Sequence, residues 1–131
     1  MESNKDAKKL QDILTSAANI VIIQADNPDG DSLASSLALE EILGDLGKQV
    51  SLYCGVDMPK HLQYLEGWSR VRRELPKDFD VSIIVDTSSL TLLEQIDITN
   101  QLMCLKSKPC VAFNHHNVKS TINFAPLNIT L

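Results

Sequence analysis

Asn19-Ile20-Val21-Ile22-Ile23-Gln24-Ala25 runs directly into Asp26-Asn27-Pro28-Asp29-Gly30-Asp31. The first stretch is a continuous, largely β-branched run. Such a run predicts a strand covered on both faces, as strands of a parallel sheet are. The second stretch is a dense turn signal. Beyond it, Leu33, Leu37, Ile42, Leu43 and Leu46 predict the apolar stripe of a helix, with Asp31 as its N-cap and Gly47 as the left-handed residue that closes it. Strand, tight turn and helix in that order make the first half of a βαβ unit.

The pattern repeats on either side. Leu10, Ile13, Leu14 and Ala17 predict a first helix over about residues 4–18, with Asn4 as its cap. Gln49 to Cys54 reads as a second strand, and Pro59 to Leu65 as a short helix with proline in its first turn. Asp80 to Asp86 is another buried strand that finishes in a carboxylate. A weaker helical stretch covers about Leu90 to Ile96, and Asn100 to Leu105 reads as helix or loop. Pro109 to Asn114 is a fourth strand running into His115-His116, and the alternating tail from Ser120 to Leu131 suits an edge strand. The expected architecture is α/β: three layers, a mostly parallel sheet with helices on both faces.

Composition narrows the function. The chain has 131 residues, 44% of them apolar, which is enough for one cored domain. A net charge of −5 argues against a protein that coats nucleic acid through a broad basic surface. No apolar run approaches the roughly 20 residues of a spanning helix, and Met1 to Lys9 is too polar for a signal peptide. Cys54, Cys104 and Cys110 form no C-x-x-C pair, so they read as buried free thiols of a cytoplasmic protein. Phosphate loops, dinucleotide-binding glycine motifs and a G-x-S-x-G elbow are all absent from the sequence.

In open α/β sheets, ligands bind beyond the carboxyl ends of the strands. Three such ends carry ligand-type residues here: Asp29 and Asp31 at the first, Asp86 at the second, and Asn114, His115 and His116 at the third. Each taken alone is explained as well by turn, cap or surface chemistry. Taken together they predict a metal site. Three gathered carboxylates repel one another unless a cation sits among them, and carboxylate with imidazole suits manganese or a similar ion. Trp68, Arg70, Arg72 and Arg73 form a small basic-aromatic patch, read as solvated surface.

These residues resemble a known family. Asn27-Pro28-Asp29-Gly30-Asp31-Ser32-Leu33, the helix after it and Leu46-Gly47-Lys48 are similar to the first motif of the DHH phosphoesterases. The likeness is to the branch of oligoribonucleases and phosphoadenosine-phosphate phosphatases. Tyr64-Leu65-Glu66-Gly67 resembles that branch's segment after the second strand, Asp78 through Thr87 its second motif, and Asn114-His115-His116 its Asp-His-His triplet.

The resemblance implies an N-terminal DHH domain over residues 1–131. It stops before the fourth ligand motif and the smaller C-terminal domain of the family. Two Mn²⁺ ions are implied, with Asp29 on one, Asp31 on the other, Asp86 bridging and His115 completing the second. His116 and Asn114 would meet the substrate phosphate. Implied substrates are short RNA, nucleotides or other phosphoesters, with no membrane partner and with a homodimer left open.

Two positions depart from the pattern. Ala25 stands where the family usually has a ligating histidine, and Asn114 where it has aspartate. The competing expectation is therefore a catalytically inactive, degenerate DHH domain that serves as a nucleotide-binding or protein-interaction module. A receiver-like signalling domain fits less well, because no lysine closes a later strand end.

Overall fold

The computed structural model describes residues 2–76, 78–85, 110–114 and 127–130, with side chains described for 8–76, 78–85, 110 and 111. Helix α1 spans Glu2–Ser16, strand β1 Asn19–Ile23, helix α2 Gly30–Asp45 and strand β2 Gln49–Tyr53. Strands β3 (Val71–Arg72), β4 (Val81–Val85), β5 (Cys110–Asn114) and β6 (Leu127–Thr130) follow. The expected helices over 90–96 and 100–105 lie outside the described residues.

The six strands among the described residues join one sheet in the order β3-β2-β1-β4-β5-β6, and their pairings are parallel. The expected edge strand of the tail is β6. The β-branched run at 19–23 forms the middle of the sheet, with β2 on one side and β4 on the other. Register puts Ile20, Ile22, Leu52, Val81, Ile83 and Val111 on one face, where Leu10, Ile13 and Leu14 of α1 and Leu37 and Leu43 of α2 pack on them. The opposite face, with Val21, Ile23 and Ile84, is buried just as fully. That is the three-layer α/β arrangement expected from runs with no polar alternation. Each such aliphatic side chain taken out of water contributes about 1.5–3 kcal/mol.

Two contacts set how the helices and strands enter the sheet. The Asp80 carboxylate accepts from the backbone N–H groups of Ala18 and Asn19, both at 2.8 Å, and so ties the start of β1 to the start of β4. Lys48 donates through Nζ to the carbonyl of Ala17 at 2.6 Å. It brings a cation to the C-terminal end of α1, which has no basic residue in its own last turn.

Several local expectations are corrected. Helix α1 begins at Glu2, so Asn4 lies inside it and is not its cap. Helix α2 is capped by Asp29, and Asp31 sits in its first turn. Ile42 and Leu46 are 56% and 65% exposed, not part of the buried stripe. At about 100° per residue, both fall roughly opposite Leu33. The short helix at 59–65 is a 3-10 turn over Lys60–Leu62, flanked by Pro59. Gly47 does adopt the left-handed conformation, with φ of 84°.

Candidate functional site at the carboxyl edge of β1

The sheet changes direction at β1. From there the chain passes through α2 to β2 on one side, and β4 enters on the other. Loops leaving the carboxyl ends of two such strands diverge and open a crevice between them. The turn at 24–29 leaves β1 at this point. The end of β4 lies beside it, with Ile23 in register with Ile84, and β5 follows, with Val85 in register with Phe113. The three strand ends that carry the ligand-type residues are thus neighbours in the sheet.

At the first of them, Asp29 adopts an extended backbone and caps α2. Its Oδ1 accepts from the backbone N–H of Ser32 at 2.8 Å, while Ser32 Oγ accepts from the Asp29 N–H at 3.0 Å. This reciprocal pair satisfies two otherwise orphaned donors of the helix end. The Ser32 hydroxyl proton faces two acceptors, Gln24 Oε1 at 3.0 Å and the Asp29 carbonyl at 3.1 Å. Gln24 is fully buried, so the last polar residue of the β1 run anchors the cap. Among the described residues, Gln24 Nε2 has no hydrogen-bond partner.

Asp31 is exposed on the first turn of the same helix. Both carboxylates lie where the positive end of the helix dipole offsets their charge. That accounts for two acids at this turn without a metal.

Ala25 is 4% exposed, and its carbonyl accepts from Cys54 Sγ at 3.3 Å. The position where the resemblance leads one to expect a histidine is therefore a closed, apolar spot beside β2. Burial is the main cause that raises the Cys54 thiol pKa, and the nearby Asp26 adds to it while Arg73 opposes it. Tyr53 is pushed up to about 12, first by burial and then by Asp26, with Arg73 again opposing. Asp26 and Arg73 therefore both act electrostatically on the end of β2.

Asn114 ends β5, in register with Thr130. Asp86, His115 and His116 lie outside the described residues. Among the described residues no three His, Cys, Asp or Glu side chains are grouped to hold a metal ion. The described part of the carboxyl edge thus offers Asp29 Oδ2 and the Asp31 carboxylate as metal donors, and Ala25 adds none. Gln24 and Ser32 were not singled out from sequence. Their signals are a polar residue closing an apolar run and the Asp-x-x-Ser spacing of a capping box.

Comparison with solved structures then gives a likeness of fold. The structure superposes on the crystal structure of an exopolyphosphatase-related protein from Bacteroides fragilis with a TM-score of 0.81 and 19% identity. That protein and this chain share a three-layer α/β arrangement. The match covers 97% of this chain and 38% of that protein, so the chain spans well under half of its relative's length. The likeness bears on the fold and not on the oligoribonuclease branch. No protein-family model matches the sequence, and neither does any curated protein. Among the described residues no helix is long and apolar enough to cross a membrane.

Proposed function

We propose that this chain is a metal-dependent phosphoesterase domain with a reduced metal site, acting on short oligonucleotides or small nucleotides. The observation that carries the reading is the adjacency of the ends of β1, β4 and β5 at the point where the sheet changes direction. In this reading Asp29 Oδ2, Asp31, Asp86 and His115 would hold divalent manganese. Bound there, the metal would lower the pKa of a water so that hydroxide is available as nucleophile, and would offset the phosphate charge. Asn114 and His116 meet the phosphate oxygens. The Asp29–Ser32–Gln24 network holds the first carboxylate in one orientation.

A second reading is favoured by Ala25. Its closed environment removes one donor from the site, which supports binding of a nucleotide without turnover. The neighbour's name adds inorganic polyphosphate as a competing substrate. The buried free thiols Cys54 and Cys110 are in keeping with a cytoplasmic protein.

The test combines calorimetry with Mn²⁺ and hydrolysis of a two-nucleotide RNA and of inorganic polyphosphate. Weak Mn²⁺ binding and slow RNA cleavage that disappear together in Asp86→Ala are the expected results. Mn²⁺ binding without any cleavage selects the binding module. Polyphosphate cleavage alone replaces the substrate class. Unchanged Mn²⁺ affinity in Asp86→Ala ends the metal assignment.

A further inference from the structure

A cavity of about 450 Å³ opens beside the ends of β2 and β3. Its walls combine Val56 and Met58 from the segment after β2 with Trp68 from the segment leading into β3 and Val71 of β3 itself. These walls are held by a second core cluster, in which Leu33 and Leu37 of α2 back Met58 and Trp68. A pocket of this size with apolar walls and a few polar groups suits a ligand of roughly nucleotide dimensions.

The polar groups set the chemistry of that ligand. Arg73 lines the cavity directly after β3, and among the described residues it forms an ion pair with Asp57 across 3.4 Å. The two side chains are 60% and 87% exposed, so the pair adds little stability and Arg73 can turn to another anion. Asp57 then remains as an acceptor on the same wall. Gln63 uses Nε2 on the Met58 carbonyl, which leaves its own carbonyl oxygen as a second acceptor. A flat indole face, one cation and two acceptors complement an aromatic base, an anion and an amine.

We propose that this pocket binds a nucleoside monophosphate whose base carries an exocyclic amine, with the base on Trp68 and the phosphate on Arg73. The site is separate from the carboxylate turn and does not depend on metal there. Guanidinium and ring act together, so neither an inorganic phosphate nor a neutral nucleoside fills it fully.

Trp68 is the chain's single tryptophan, so its emission reports on this pocket alone. The experiment titrates the full chain with adenosine 5′-monophosphate and follows that emission. Saturable quenching is expected. Uridine 5′-monophosphate, which lacks the amine, and adenosine, which lacks the phosphate, should bind more weakly, and pyrophosphate should leave the emission unchanged. Arg73→Ala, at an exposed side chain, should fold normally by circular dichroism and weaken binding about tenfold, the factor that corresponds to about 1.4 kcal/mol. Asp29→Asn should leave the titration as it is. No saturable quenching overturns the proposal, and so does equal affinity in Arg73→Ala. Loss of the response in Asp29→Asn would place the ligand at the carboxylate turn and overturn it as well.

Discussion

Asp29→Ala and Asp29→Asn remove different things from the same position. In the native chain the Ser32 N–H reaches Asp29 Oδ1 at 2.8 Å, and this bond closes the first turn of α2. Alanine leaves that N–H without its acceptor, and N-cap losses of this kind cost about 0.5–2 kcal/mol. Because the Ser32 hydroxyl also ties the cap to buried Gln24, the upper half of that range is expected. Asparagine keeps an acceptor oxygen and loses only the charge at the helix dipole, worth about 0.3–1 kcal/mol. The assay is thermal unfolding followed by circular dichroism, with and without Mn²⁺. In a chain of 131 residues, the alanine variant should melt a few degrees lower, since about 1 kcal/mol shifts Tm by roughly 2–8 °C across domains of this order. Mn²⁺ should raise the stability of the parent chain by the binding free energy of the folded state, and of the asparagine variant less. An alanine variant as stable as the parent would refute the capping role. An asparagine variant with an undiminished response to Mn²⁺ would refute Asp29 as a metal donor.

Two further outcomes are expected. Gly67 has φ of 101°, and a Cβ there would lie 3.0 Å from Leu37 Cδ2 and 2.5 Å from an Arg70 nitrogen. Gly67→Ala should therefore cost about 1–2 kcal/mol from the left-handed backbone alone, and an unfolding midpoint equal to the parent's would contradict this. Burial pushes the Cys110 thiol up to about 11, with the Ser82 hydroxyl opposing, and Tyr53 up to about 12. The native chain keeps protons that the unfolded chain releases from about pH 8.5 for a thiol and about pH 10 for a tyrosine. Stability is then complete below those values and falls as pH rises toward 11 and 12, so a midpoint in urea that rises over this interval would contradict the assignment.

Much of the fold is legible in short apolar runs. Residues 19–23, 49–53 and 81–85 read as strands because continuous β-branched and aliphatic sequence has few other uses at that length. Helix α2 shows where such reading slips. It is apolar on nearly every side, so counting leucines gathers Ile42 and Leu46 with Leu33, and only their angular positions separate them. The cap slips for a related reason. Asp29 and Asp31 are both good caps, and the choice between them falls to Ser32, whose hydroxyl closes a box with Asp29 alone. The neighbourhood of the three strand ends is a matter of topology, and no local stretch of sequence encodes strand order. The pocket at Trp68 was hidden in the same way, since Trp68 and Arg73 look like a basic surface patch until β2 is placed beside β3.

The seam between β1 and β4 has a consequence for how the chain assembles. Ile20 faces Val50 on one side and Val81 on the other, separations of 30 and 61 residues (50 − 20 and 81 − 20). Ile83 meets Val111 across only 28 (111 − 83). Two modest parallel units can thus collapse from nearby sequence, each within its own half of the chain. Joining them demands the single longest loop closure among these pairings, a step whose entropy cost comes before any contact rewards it. The crevice that holds the carboxylates lies on that seam, so its assembly depends on the costliest of these closures.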